Sequence, residues 1–117
     1  MNSRTRKLLF DVLESGRSIR SWCGQQSFEV YGTDRQFRRA VEREFEIIGE
    51  ALGRLAQSDA ETASRISELS RIVSFRNRII HGYDTVDDAM VWGIASEHLP
   101  KLILEAEALL RESDAAS

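Results

Sequence analysis

The chain has 117 residues, with 42% hydrophobic and 30% charged side chains, which fits one globular domain and argues against a disordered protein. One proline and seven glycines are too few for the turns of an all-β sandwich, and a single cysteine excludes an internal disulfide and a cysteine-rich zinc site. The net charge of −3 combines +3 over residues 1–83 with −6 over residues 84–117, so it does not exclude a nucleic-acid ligand.

The first predicted helix runs from Ser3 to Trp22. Five apolar residues form its inward face: Leu9, Val12, Leu13, Ile19 and Trp22. The stretch from Ser21 to Thr33 contains two glycines and scattered polar residues, and we expect a loop there.

The second helix is predicted to begin with Thr33 or Asp34 as its N-cap. Six apolar residues, spaced three or four apart, keep one face over five turns: Phe37, Val41, Phe45, Ile48, Leu52 and Leu55. Three small residues flank this stripe: Gly49, Gly53 and Ala56. Their size would let another helix approach closely.

After a connection from Gln57 to Ala63, a third helix is predicted from Ala63 to Gly82. Arg76 is expected in the middle of its apolar stripe, because five apolar residues fall within about 60° of it on a helical projection. These five residues are Leu69, Ile72, Val73, Ile79 and Ile80. On the adjoining edge, Asn77 and His81 are i, i+4 neighbours whose side chains can meet.

A fourth helix is predicted to begin near Thr85, where Asp88 stands at the spacing of a capping box. Pro100 lies inside its apolar pattern and is expected to kink or split the helix. Residues 113–117 are expected to form a frayed tail. The sequence therefore predicts an all-α protein, a four- to five-helix up-down bundle with a single domain over residues 1–112.

No apolar run approaches the length of a membrane span, and the apolar segment after the basic amino terminus is too short for a secretory leader. The lone Cys23 fits a reducing compartment. We therefore expect a cytoplasmic protein without a membrane partner.

Burying an unpaired guanidinium is costly, so Arg76 in an apolar stripe needs a partner. One interpretation is an internal ion pair with Glu42, Glu46 or Glu50. The other is that Arg76 faces a groove or a subunit interface and binds an anion. The three carboxylates also have the spacing of a metal-binding helix, but no Glu-x-x-His motif accompanies them, so we expect no metal and favour a charged surface face.

Residues 76–83, Arg-Asn-Arg-Ile-Ile-His-Gly-Tyr, fit the pattern R-x4-H-x-Y. Other blocks accompany this motif in chain order: Arg39-Ala40-Val41-Glu42, Ile47-Ile48-Gly49-Glu50-Ala51, Asp84, Val91-Trp92 and Leu99-Pro100. With these blocks, which extend over about residues 5–110, the sequence resembles the HepT family of HEPN-domain ribonuclease toxins. The motif alone arises often by chance, whereas the ordered set of blocks is specific.

The motif carries groups that can cleave RNA without a metal ion. Histidine serves as a base or an acid near neutral pH, and arginine supplies fixed positive charge where negative charge develops. Asn77 could orient the imidazole or bind the phosphate. Because the reaction needs both a base and an acid, a two-fold dimer that joins the third helices would supply two copies of His81 and Arg76.

The resemblance implies a HEPN-like homodimer with the third helices at the interface and with Arg76 and His81 as catalytic residues. It also implies a cognate antitoxin, a minimal nucleotidyltransferase of the MntA type, which transfers AMP from ATP to the motif tyrosine, here Tyr83. Mg-ATP would then be the cofactor of the antitoxin, and the ribonuclease would need none. A phosphate attached to Tyr83 could occupy the anion site near Arg76 and exclude RNA.

Two other classes of protein stay open on the sequence alone. The acidic carboxy-terminal third suits a protein partner, so the chain could be a non-catalytic helical module that presents a substrate to a nucleotidyltransferase. It could also be a structural dimerisation bundle in which Arg76 forms a buried ion pair.

Overall fold

The computed structural model describes residues 1–116, and within that range the chain is helical and contains no strand. Seven α-helices and one 3-10 turn follow in order: α1 Ser3–Gly24, α2 Phe28–Thr33, α3 Arg35–Ser58, α4 Ala60–Ala63, α5 Leu69–His81, the 3-10 turn Tyr83–Thr85, α6 Asp88–Glu97 and α7 Leu99–Ala116. The predicted all-α class is confirmed, with α1, α3, α5 and α7 as the long helices.

The core lies where α1 and α7 pack together and α1 packs on α3. The predicted stripe of the second helix forms the buried face of α3, where five side chains are fully buried: Val41, Phe45, Ile48, Leu52 and Leu55. The helix begins as predicted, because the Asp34 side chain accepts a hydrogen bond from the Phe37 amide. α1 runs antiparallel to α3, since Thr5 near the start of α1 donates a hydrogen bond of 3.0 Å to Asp59 just after α3.

α7 also runs antiparallel to α1. Two ion pairs fix this direction, one between Arg6 and Asp114 at 2.9 Å and one between Arg17 and Glu107 at 2.7 Å. Between these pairs and the start of α7, Gly16 lies against Ile103, where a Cβ would come within 3.1 Å of that side chain. The long helices therefore alternate in direction, as an up-down bundle requires.

α5 packs on α3 rather than in the middle of the bundle. Its buried residues are Ile72, Phe75 and Ile79, and the Phe75 ring meets the Phe45 ring edge-on at 5.2 Å. Arg76 was expected at the centre of the apolar stripe, and this placement is wrong. The buried residues Ile72, Phe75 and Ile79 centre the buried face of α5 on the Phe75 side of Arg76. Arg76 lies at the edge of that face and is half-buried.

The stretch from Ser21 to Thr33, which we expected to be a loop, contains α2. Ser27 caps this helix, and Tyr31 is fully buried with its ring against Phe37 at 5.2 Å and Trp92 at 5.6 Å. Six residues are too few to show a helical period, so the segment carried no periodic signal. Trp22, which was expected on the inward face of the first helix, is 36% exposed.

Two further boundaries differ from the prediction. The third helix begins at Leu69 instead of Ala63, because residues 64–68 form turns that are held to α7 by Glu105, which accepts hydrogen bonds from Ser67. The fourth helix is capped by Asp87 rather than Thr85, since the Asp87 side chain accepts from the Met90 amide.

The split near Pro100 is confirmed, because α6 ends at Glu97 and α7 begins at Leu99. Residues 113–116, expected to fray, continue α7, and residue 117 lies outside the described residues. Within residues 1–116, no helix combines the length and the apolar character that crossing a membrane would require.

Candidate functional site

The four predicted site residues lie at one end of α5 and in the turn that follows it. Arg76 and Asn77 are on the helix, His81 is its last residue, and Tyr83 opens the 3-10 turn. Asn77 and His81 are exposed, and the Tyr83 side chain is 76% exposed. The motif therefore presents its imidazole and its phenol to solvent beside a half-buried guanidinium.

The Arg76 side chain lies against the backbone of α3. A Cβ built on Gly49 would be 2.2 Å from the Arg76 Cβ, so the two helices meet at this point without a side chain between them. The Nε atom is buried and has no hydrogen-bond partner, while Nη1 donates to the Asn77 Oδ1 at 3.1 Å. Within residues 1–116, no carboxylate pairs with this guanidinium, so its charge is not neutralised inside the chain.

The three glutamates that were candidates for that pairing are bound to arginines of their own helix. Glu42 pairs with Arg39 at 3.0 Å, and Glu46 pairs with Arg43 at 3.3 Å. The third pair joins Glu50 to Arg54 at 2.8 Å. The internal ion pair of Arg76 is therefore wrong for the folded chain, and the interpretation of these carboxylates as a charged surface face is confirmed.

The expected contact between Asn77 and His81 is not formed. The side-chain amide oxygen Oδ1 of Asn77 accepts from Arg76 instead, and the His81 imidazole has no hydrogen bond to any other described residue. The structure thus joins Arg76 to Asn77 and leaves the imidazole free, so Asn77 is placed to orient the cation rather than the histidine.

The second histidine of the chain lies outside the motif. His98 follows α6, and its Nδ1 is 3.1 Å from the carboxylate of Glu68, which precedes α5. Each chain therefore carries one free imidazole at the motif. The single thiol offers no nucleophile at neutral pH, because burial raises the pKa of Cys23 to about 11.

Two residues that sequence reasoning missed hold the turn of Tyr83. The Arg78 guanidinium donates from Nε to the Thr85 hydroxyl oxygen at 3.0 Å and from Nη2 to the Thr85 carbonyl at 2.9 Å. The same hydroxyl donates to the Gly82 carbonyl at 2.6 Å. The sequence carried little signal for this contact. Arg78 and Thr85 are seven residues apart, but the helix ends between them, so helical periodicity could not predict that their side chains meet.

An open groove of about 370 Å³ runs between α3 and the end of α5. Its lining combines apolar and charged side chains: Arg39, Glu42, Glu46, Ile79, Ile80, Tyr83 and Val86. Ile80 in this lining is 38% exposed, so its side chain is accessible for an apolar contact. Within residues 1–116, no three histidine, cysteine, aspartate or glutamate side chains come together as a group that would hold a metal ion.

Over most of its length the chain is similar to proteins whose names describe them as putative or probable ribonucleases. A protein of Methanocaldococcus jannaschii named "Putative RNase MJ1380" is 31% identical over 99 residues, which cover 85% of this chain and 90% of that protein. A protein of Thermococcus cleftensis named "Probable ribonuclease HepT" is 30% identical over 96 residues, covering 80% of this chain and 84% of that protein. No solved structure gives a significant match. The family model described as Ribonuclease HepT-like matches residues 12–109, and the chain therefore belongs to the HepT-like ribonuclease family.

Proposed function

We propose that this chain is a metal-independent endoribonuclease toxin whose catalytic residues are Arg76 and His81. The observation that carries the proposal is a half-buried guanidinium without a carboxylate partner, followed one and a half turns later by a free, exposed imidazole. Leaving a charge unpaired is costly to folding, and such a cost is typical of a site that awaits a ligand of opposite charge.

The proposed reaction is attack of the ribose 2′-oxygen on the adjacent phosphorus. One His81 imidazole takes the proton of the 2′-hydroxyl, and Arg76 stabilises the negative charge that develops on the phosphoryl oxygens. The bond from phosphorus to the 5′-oxygen breaks, and an imidazolium protonates that oxygen. The products are a 2′,3′-cyclic phosphate and a 5′-hydroxyl.

The acid and the base come from two chains in this proposal. Each chain has one free motif histidine, so a homodimer that joins the α5 ends would place two imidazoles at one cleft. The groove between α3 and α5 supports this arrangement, because exposed Ile80 offers an apolar contact. Arg39 and Glu42, an oppositely charged pair at its rim, could each also pair with the other residue of the second chain across a two-fold axis.

Neutralisation by AMP transfer to Tyr83 completes the proposal. The Tyr83 hydroxyl would attack the α-phosphate of ATP, with pyrophosphate leaving, on a nucleotidyltransferase antitoxin of the MntA type that uses Mg-ATP as its own cofactor. The 76% exposure of Tyr83 supports this role, since a transferase must reach its hydroxyl. The added phosphate would then compete with RNA for Arg76 in the cytoplasm of the host cell.

The test is cleavage of a defined RNA by the purified chain in EDTA. We expect wild type to cleave and His81→Ala to lose activity, because the imidazole carries the proton. His98→Ala is the matched control, since it removes the other histidine and its contact with Glu68 but leaves the motif intact. Equal cleavage by wild type and His81→Ala, or cleavage only after a divalent metal is added, would contradict the mechanism.

A non-catalytic binding module is the second candidate, and one observation favours it. Residues 84–117 carry a net charge of −6, which suits a basic protein surface better than RNA. Expression of the chain alone separates the two functions. Growth arrest that disappears with Arg76→Ala or His81→Ala supports the toxin, whereas harmless expression of a folded wild-type chain supports the module.

A further inference from the structure

α3 and α5 approach each other closely at Gly49. A Cβ at this position would stand 2.2 Å from the Cβ and 2.5 Å from the Cγ of Arg76, distances that real Cβ atoms essentially never show. Gly49 is also buried. Any other residue at this position would push α5 away from α3 or turn the Arg76 side chain out of its place.

The other glycine in the second half of α3 has no such role. A Cβ at Gly53, one turn after Gly49, would meet nothing within 4 Å. Glycine weakens the interior of a helix. No contact in the structure explains the glycine at position 53. At Gly49 the reason is a contact with one particular side chain.

The contact determines how the Arg76 guanidinium is held. Because the Cβ and Cγ lie against the α3 backbone, the stem of the side chain cannot swing freely, and Nε is enclosed. Nη1 is bound to Asn77, which leaves Nη2 as the nitrogen that is neither bonded to a described residue nor enclosed. A flexible surface arginine would present all its donors in many orientations, whereas this one presents a defined edge.

We propose that Gly49 is a positioning residue for Arg76, acting through the van der Waals contact of its backbone with the arginine stem. This inference rests on the proposed function, since it assigns Gly49 to the ribonuclease site. It differs from a simple packing role in what it affects. A packing glycine affects stability alone, whereas a positioning glycine affects the rate at which bound RNA is cleaved.

The test compares Gly49→Ala with Gly53→Ala in steady-state cleavage of an RNA oligonucleotide. We expect Gly49→Ala to lower kcat by about 10-fold to 100-fold with a smaller change in KM, because a misplaced catalytic group lowers the rate more than it weakens substrate binding. Gly53→Ala should stay within about twofold of wild type, because its new methyl group meets open space. Unchanged kcat in a folded Gly49→Ala protein overturns the proposal.

A second readout does not depend on activity. Labelling of Arg76 by phenylglyoxal, followed by peptide mass spectrometry, reports how far the guanidinium is enclosed. We expect faster labelling of Arg76 in Gly49→Ala than in wild type or Gly53→Ala, and equal labelling overturns the inference. If wild type does not cleave RNA while this labelling difference is found, the proposed function fails but the contact between Gly49 and Arg76 stands.

The proposal stays testable if Gly49→Ala does not fold. Arg76→Gly removes the atoms that a methyl group at position 49 would strike, so Gly49→Ala placed in that background should fold as well as Arg76→Gly alone. The double variant would remain inactive. If it is unfolded while Arg76→Gly is folded, the glycine serves a different contact and the proposal is wrong.

Discussion

The contact between α1 and α3 and the contact between α3 and α5 use the same helix in opposite ways. The apolar stripe of α3 is fully buried from Val41 to Leu55, and at the contact with α1 the buried Thr5 hydroxyl donates a hydrogen bond to Asp59. At the contact with α5, the Nε atom of Arg76 is buried without a hydrogen-bond partner, and Ile80 and Tyr83, which follow it along the chain, are exposed. The first contact follows every rule of stable packing. The second breaks several of them within two helical turns, which is typical of a functional site.

The largest effect is expected in the core. Leu52→Ala removes a fully buried side chain from the centre of α3 and should lower the free energy of unfolding by about 2–5 kcal/mol, because it leaves a cavity that the bundle cannot close. Urea unfolding followed by circular dichroism measures it. A loss below about 1 kcal/mol would mean that the core is not the main source of stability.

Arg76→Ala should do the opposite of Leu52→Ala, with a large effect on activity and a small effect on stability. We expect cleavage of RNA to fall by about 10²–10³, because a preorganised charge opposite the phosphate is lost. The free energy of unfolding should change by less than about 1 kcal/mol, since no ion pair is broken. Initial cleavage rates and urea unfolding measure the two quantities. Strong destabilisation with little loss of activity would make Arg76 a structural residue and remove the contrast between the two contacts.

Arg78→Ala should affect the modification of Tyr83 more than cleavage. Arg78 makes two hydrogen bonds that close the turn, and their loss should slow AMP transfer about tenfold, the effect of about one charged hydrogen bond. The mass shift of the chain, followed over time with a nucleotidyltransferase and Mg-ATP, measures this rate. Arg71→Ala is the matched control, because Arg71 pairs with Glu68 at the other end of α5. Equal slowing in both variants would contradict the role of the turn.

The smallest effect is expected in the pH dependence of stability, and it concerns Asp59, the hydrogen-bond partner of Thr5. Hydrogen bonds from the Thr62 side chain and backbone, joined by one from Thr5, lower the pKa of Asp59 from its ordinary value. A carboxylate with a lowered pKa contributes stability above its unfolded pKa and loses it as pH falls through the folded value. Asp59→Asn should therefore be less stable than wild type at pH 7, with a difference that shrinks below about pH 4. A constant difference across this range would show that the charge is unimportant.

The sequence predicted the buried face of α3 better than the contact between α3 and α5. The stripe from Phe37 to Leu55 has an unbroken helical period, so the buried face of α3 could be predicted directly. The placement of Arg76 could not, because Phe75 and Arg76 compete for the buried face and only the partner helix decides between them. The small size of Gly49 indicated a close approach, but nothing in the sequence identified Arg76 as its neighbour.

The end groups of cleaved RNA test the central claim most directly, namely that Arg76 and His81 perform cleavage by proton transfer and charge stabilisation alone. The purified chain is incubated with an RNA oligonucleotide in EDTA, and the products are analysed by mass spectrometry. The account predicts fragments with 2′,3′-cyclic phosphate and 5′-hydroxyl ends, absent when His81 is alanine. Fragments with 3′-hydroxyl and 5′-phosphate ends, formed only after a divalent metal ion is added, would contradict it.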